Sequence, residues 1–267
     1  MESYSSDAVI LHHLDYGEAD RIVTFFSLEH GLIKGFARQA RKSRKRFGAA
    51  LEPFSTVHVR WQSQRGGDLV TVLDADLIDL RSGLRHDLLA LALAAYGCEL
   101  VENLLGEIGP QADAYHLLSA FLDHVHRHGG SAEARLLLEL RMLCLAGYEP
   151  HLLHCSRCGG PVRTEQVAFS AVLGGGLCLD CVGGADVQRL SPLSLGTLSR
   201  VLQSPPTLFA GFRFGAQTRR EGGKAVTSLL NQHLCRPMKS LAFLNQMGDE
   251  GEPIAASGVP GFGCQTG

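Results

Sequence analysis

The sequence predicts an α+β protein in which a small β-barrel comes first and an all-helical domain follows, interrupted by a four-cysteine insertion. Three observations carry this reading. From Ser3 to about Leu80 short apolar runs alternate with turn residues, as in strands; from Arg85 to about Gly147, and again after Ser191, the period is helical. Between the helical stretches, Cys155 with Cys158 and Cys178 with Cys181 form two C-x-x-C pairs separated by 19 residues. The expected boundaries are 1–80 for the barrel, 81–150 and 188–247 for the two parts of the helical domain, 151–187 for the cysteine insertion, and 248–267 for a disordered tail.

A chain of 267 residues has room for two domains, or for one with a substantial insertion. Hydrophobic residues make up 45% and charged ones 19%, ordinary for a globular protein, and the net charge of −2 averages over an uneven distribution. The N-terminal MESYSSDAVI has neither a basic segment nor a long apolar one, so no secretory signal is read there. The most apolar run, Leu88 to Cys98, is too short to span a bilayer and is flanked by Asp87 and Glu99. A reducing cytoplasm and no membrane partner are expected.

Within the first 80 residues, Ala8 to His13 is a branched apolar run closed by the turn-prone Asp15-Tyr16-Gly17. Arg21 to Leu28 and Leu32 to Ala37 are divided by a tight turn at Glu29-His30-Gly31. Ser55 to Gln62 alternates, with Val57, Val59 and Trp61 on one face and Thr56, His58 and Arg60 on the other. Leu69 to Leu80 follows Arg65-Gly66-Gly67-Asp68, read as a hairpin loop. Five strands in so short a span favour a closed or half-closed barrel of the OB type.

The segment between the third and fourth strands is the most basic in the chain. Arg38, Arg41, Lys42, Arg44, Lys45 and Arg46 place six cations in nine positions, bounded by Phe36 and Phe47, with no acid among them. A solvated loop is the ordinary reading of such a run. Its place inside a compact domain, with no acidic neighbour in sequence, favours nucleic-acid phosphates instead, because Arg and Lys displace condensed counterions. Asp15, Glu18 and Asp20 form an acidic trio that reads as turn formers.

The helical part opens with His86 to Leu105, apolar on nearly all sides, and Gly106 to Pro110 breaks it. Gln111 to His128 is the second helix; Ser131 caps a third that runs to about Leu145. His124, His126 and His128 are read as surface residues, since a spacing of two spreads them over different faces. Ser191 caps a further helix with Pro192 at its first position, running to about Leu202, where Pro205-Pro206 stops the chain. Thr218 to Cys235 is amphipathic, with Val226, Leu229, Leu230 and Leu234 as its core stripe, and Lys239 to Leu244 packs back as a short closing segment. Cys98, Cys144 and Cys235 are read as small core residues, and Cys264 lies in the tail.

In the insertion, each C-x-x-C turns two sulfurs toward one point, and the intervening residues suffice for a hairpin that brings the second pair back. Gly159-Gly160 and Gly183-Gly184 let the backbone turn tightly beside the pairs. Buried hydrophobes, disulfides and a thioredoxin-like redox pair are the competing readings. The spacing favours one structural Zn²⁺ on Cys155, Cys158, Cys178 and Cys181, a closed shell with no position for a catalytic water. His151 and His154 are alternative ligands that the four cysteines make unnecessary. No P-loop, nucleophile motif or plausible catalytic carboxylate pair is found, so an enzyme is not expected.

These features together resemble the RecO family of bacterial DNA repair proteins. The resemblance is carried by Tyr16-Gly17-Glu18-Ala19-Asp20-Arg21-Ile22-Val23 and Gly31, and by the basic stretch from Ala37-Arg38 through Arg46 into Leu51-Glu52-Pro53-Phe54. The two cysteine pairs and Lys239-Ser240-Leu241-Ala242-Phe243-Leu244 extend it to about residue 247. It implies a recombination mediator of the RecF pathway that binds single- and double-stranded DNA and anneals complementary strands, including strands coated by single-strand-binding protein (SSB). With RecR, such a protein helps load the RecA recombinase, which it affects indirectly. Matched by position, the DNA contacts are Lys34, Arg38, Arg41, Lys42, Arg44, Lys45 and Arg46. The resemblance also implies that the helical domain takes the acidic, hydrophobic tail of SSB, with Arg127, Arg135 and Arg141 as candidates. The rival readings are a zinc-stabilised adaptor that binds only proteins and, more weakly, a zinc-dependent hydrolase.

Overall fold

The computed structural model describes residues 2–63, 69–106, 109–162, 166–234 and 236–246, Asn245 by its backbone alone. The expectations for the Arg65–Asp68 loop, for Cys235, and for the tail with Cys264 lie outside these residues.

Five strands close the barrel: β1 (Ser3–Tyr16), β2 (Asp20–Ser27), β3 (Gly31–Ala37), β4 (Thr56–Gln62) and β5 (Val70–Asp79), in the order β1-β2-β3-β5-β4. β1 returns to pair with β4, and the single parallel contact is β3 with β5, the arrangement of an OB-type barrel. β1 is twice the length that its apolar run suggested. Its polar half, Ser3 to Val9, pairs with β4; its second half pairs with β2 up to Tyr16; and a register shift between Ile10 and His12 bends it from one partner to the other.

The barrel core holds Ala8, Ile10, Val23, Phe25, Val57, Val59, Trp61 and Val72, so the alternation expected along β4 is realised. Outward-facing Val9, Leu11 and Phe26 belong instead to the core of the helices, which fuses the two parts into one packed body.

A 3-10 turn (Ser82–His86) leads into α1 (Leu88–Leu105), then α2 (Ala112–His128), α3 (Ala132–Leu145), α4 (Pro192–Gln203), α5 (Ala216–His233) and α6 (Lys239–Gln246). The expected start of the first helix at His86 is corrected. Asp87 is extended, and its carboxylate accepts hydrogen bonds from the Leu89 and Ala90 amides, so it is the N-cap. α5 likewise begins at Ala216, two residues earlier than its apolar stripe suggested. At 18 residues α1 is long and apolar enough to cross a membrane by length and composition, contrary to the reading of a shorter run. Its Leu93, Ala94, Leu100 and Val101 are buried in the bundle, which accounts for that apolarity.

Arg81 locks the two parts together. It is 2% exposed and left-handed (φ 47°), and donates to Asp123 Oδ1 of α2 at 2.7 Å, to Ser119 Oγ at 3.1 Å, and to the Phe54 carbonyl at 2.7 Å. Between α3 and α4, β6 (Val167–Ser170), β7 (Gly175–Leu177) and β8 (Gln188–Leu190) form a small antiparallel sheet in the order β7-β6-β8.

Candidate nucleic-acid interface and metal centre

The basic segment between β3 and β4 is a run of turns that seals one end of the barrel. Ala40, Phe47, Ala50 and Leu51 are buried in the barrel core, and the Arg46 carbonyl accepts from Ala75 of β5 at 3.0 Å. Burying these four side chains turns most of the charged positions around them toward solvent. Arg38, Arg41, Lys42, Arg44 and Lys45 are exposed, as is Lys34 on β3. Arg46 differs: it is half-buried, donates to Ser43 Oγ at 3.2 Å and to the Arg38 carbonyl at 2.6 Å, and lies over the Phe47 ring. Its guanidinium holds the segment's own shape.

The acidic neighbour absent from the local sequence is present in space. Asp15 accepts from Arg21 Nε at 3.0 Å and lies 3.6 Å from Arg41 Nε, and its carboxyl is held below the usual range first by the Arg21 hydrogen bond. Asp20 Oδ1 accepts from the Gln39 amide at 2.7 Å, and the Glu18 carbonyl from Arg41 at 3.4 Å. The acidic trio therefore anchors the start of the basic segment to the β1–β2 turn, while Lys42, Arg44 and Lys45 stand beyond it.

The four cysteines converge. Their sulfurs all lie within 4.8 Å of one another, and Cys158 and Cys178 are 3.7 Å apart. A tetrahedral shell with Zn–S bonds near 2.3 Å needs sulfur spacings of about 3.8 Å, so the set fits a metal ion of that size and softness. The expected hairpin delivers the second pair: β6 and β7 pair Ala168 with Leu177 and Ser170 with Gly175. Each knuckle is a tight turn, the Gly159 amide donating to the Cys155 carbonyl and the Cys181 amide to the Cys178 carbonyl, with Gly159 at φ +73°. Gly175 is required by space, since a Cβ there would fall 2.3 Å from the His151 carbonyl oxygen.

Hydrogen bonding divides the thiols. The Cys178 amide, then those of Cys158 and Arg157, bring the Cys155 thiol down to about 6, whereas the bond to Cys178 pushes Cys181 up to about 12. Four thiolates this close together would repel one another. A cation at the centre removes that repulsion. Cysteines 98 and 144 are separate, their thiols raised to about 12 by burial.

The three candidate arginines of the helical part divide sharply. Arg127 is on the surface, 3.7 Å from Asp123. Arg135 is half-buried, its side chain 15% exposed, and pairs at 2.7 Å with the 1%-exposed Glu139, which also accepts from the Tyr96 hydroxyl. Arg141 is 3% exposed and meets no carboxylate among the described residues. It lies between the Phe209 and Phe212 rings, donates to Ser204 Oγ at 2.9 Å, and its Nε and Nη1 find no partner among the described residues. Burial brings its pKa down to about 10. The histidines of α2 are less superficial than their spacing suggested. His124 and His128 sit one turn apart with ring centroids at 4.9 Å, His124 stacks on Phe209, and His126 Nδ1 is buried with no hydrogen-bond partner among the described residues.

Comparison with known proteins places this architecture. Residues 1–81 match the family model described as Recombination protein O N terminal, and residues 85–242 match Recombination protein O C terminal. The chain is 70% identical over 256 residues to the DNA repair protein RecO of Syntrophotalea carbinolica, covering 96% of this chain and 99% of that one. It is 38% identical over 247 residues to the RecO of Pelobacter propionicus (92% and 97% covered) and 36% identical over 251 residues to that of an Anaeromyxobacter strain (93% and 98%).

Proposed function

Because the chain belongs to the RecO family of DNA repair and recombination proteins, we propose that it is a non-enzymatic mediator that binds single- and double-stranded DNA and anneals complementary strands. The observation that carries this reading is the seal of the barrel: burying Ala40, Phe47, Ala50 and Leu51 projects Arg38, Arg41, Lys42, Arg44 and Lys45 into solvent as one cationic surface, with Lys34 exposed nearby on β3. Such a surface neutralises phosphates of two strands at once, lowering their mutual repulsion and raising their local concentration. Base pairing then supplies the free energy, and no covalent step is needed.

On this reading Cys155, Cys158, Cys178 and Cys181 hold one Zn²⁺ as a structural ion. The helical part receives the acidic, apolar tail of SSB, which directs annealing to SSB-coated strands, and RecR joins the protein in loading RecA. Arg141 supports a tail site in the helical part, since a guanidinium with two nitrogens unpartnered among the described residues, beside Phe209 and Phe212, suits a carboxylate followed by apolar side chains.

The test is annealing of two complementary oligonucleotides at moderate salt, with and without SSB. The natural chain is compared with a variant carrying Arg41, Lys42, Arg44 and Lys45 all changed to Glu. Fast annealing that the variant loses supports the mediator. If neither protein binds or anneals DNA while both bind SSB, the chain is a protein adaptor and the basic segment has been misassigned.

A further inference from the structure

At Arg141 the fold buries a charge without neutralising it. Ser204 Oγ accepts from one nitrogen at 2.9 Å, and the Phe209 and Phe212 ring centroids lie 5.1 and 5.3 Å from the guanidinium carbon. Nε and Nη1 have no hydrogen-bond partner among the described residues. A buried cation with two idle donors is costly, and an anion that completes it removes the cost. Apolar side chains surround the same spot: Phe209 is buried, Phe212 is half-buried, and Leu208 is 45% exposed. The ligand that fits is a carboxylate followed by apolar groups. The field of the region favours it as well, since Val187 to Arg220 carries five arginines and no acidic residue.

The chain carries such a ligand itself. After α6 come Asp249, Glu250 and Glu252, then Pro253 and Ile254, with Val259 and Phe262 further on and no Lys or Arg as far as Gly267. The segment leaves from the right core, because Leu244 of α6 belongs to the same buried cluster as Phe209. Its 20 residues, Gly248 to Gly267, span up to about 70 Å when extended. A body of this size is only about 45 Å across. A tether of this kind holds a ligand at an effective concentration on the order of a millimolar, so even a weak contact is populated.

We propose that the chain docks this segment on its own Arg141 site. Glu252, with Glu250 beside it, supplies the acceptors for Arg141 Nε and Nη1, and Pro253 and Ile254 lie on the Phe209 and Phe212 rings. The inference rests on reading the Arg141 site as the seat of an acidic, apolar tail, and it gives that seat a resident occupant. An outside tail then binds only by displacing the tethered one. The helical part is thereby closed to weak or dilute competitors and opens to a partner that presents many such tails at once.

The probe is a labelled peptide with the acidic, apolar tail sequence of SSB, titrated by fluorescence anisotropy into full-length chains. Asp249→Asn, Glu250→Gln and Glu252→Gln together raise its affinity about five-fold or more, because a tethered competitor is removed. The three substitutions leave the barrel and the helices unaltered in sequence, so the change reports the segment and not a failed fold. Hydrogen exchange at Leu208–Phe214 quickens in the same variant. With Arg141→Lys added, natural and neutralised segments bind the peptide alike, the signature of coupling in a double-mutant cycle. Equal affinity of the two chains overturns the docking. Tighter binding with unchanged exchange also overturns it, since that is plain repulsion between two acidic segments. The reading of Arg141 as a tail site survives both of those results. It falls, and the docking with it, if neither chain binds the peptide or if Arg141→Lys leaves the affinity unchanged.

Discussion

At Gly31 the tight turn between β2 and β3 meets the connection between α1 and α2. A Cβ there would lie 2.0 Å from the Gly109 carbonyl oxygen, and the backbone is left-handed at φ +75°. Gly31→Ala should therefore cost at least about 2 kcal/mol, the conformational penalty alone being about 1–2. Denaturant unfolding checks it, and a change below about 0.5 kcal/mol contradicts the contact. The buried Arg135–Glu139 pair supplies a second residue-scale expectation. Glu139→Ala strands a mostly buried guanidinium against the Tyr96 ring and should destabilise by about 3 kcal/mol. A cost near that of a surface substitution would show the pair to be hydrated.

The cysteine knuckles and the α4–α5 corner set the expectations for elements. Cys155→Ser and Cys178→Ser should lower stability and solubility more than DNA affinity, because the knuckles and the cationic seal belong to separate hydrophobic clusters. Elemental analysis of protein purified without chelator should find about one zinc per chain, and less than about half counts strongly against the site. Glu221 of α5 clamps the start of α4. It accepts from the Ser191 amide at 2.9 Å and hydroxyl at 2.8 Å, and from Gln217 at 2.9 Å. Burial alone would raise its pKa, but these hydrogen bonds outweigh it and bring the group down to about 2. A carboxyl depressed below its usual 4.5 stabilises the fold above that pH and loses the contribution as pH falls toward 2. Glu221→Gln should thus be the less stable protein at neutral pH, with the gap closing over that acidic window. A gap independent of pH would mean that the charge is not what clamps the corner.

For the whole molecule, the proposed DNA binding is tested by how affinity responds to salt. Each phosphate contacted on a single strand contributes a slope of about −0.7 to the logarithm of affinity against the logarithm of salt. Neutralising Arg38, Lys42, Arg44 and Lys45 to Ala should flatten that slope by about 3 if all four meet phosphates. An unchanged slope would place the phosphate contacts elsewhere. Arg81 ties this surface to the helices, joining α2 to the Phe54 carbonyl at the end of the basic segment.

The sequence by itself determined the local facts: which stretches are strand or helix, the caps at Ser131 and Ser191, the hairpin between the cysteine pairs, and the one segment dense in cations. Each is written in periodicity or spacing over a few residues, where neighbours along the chain are also neighbours in space. Only the tertiary structure decided the rest. Polar Ser3–Asp7 is strand because β4 pairs with it, a hydrogen-bonding partner more than fifty residues away that side-chain pattern does not encode. Arg46 turned inward while its neighbours turned out, Asp15 came to the basic segment from across a turn, and Arg135 and Arg141, six residues apart on one helix, met respectively a carboxylate and, among the described residues, none. A charge in sequence is only a charge; its partners and its solvent are fixed when distant elements pack against it.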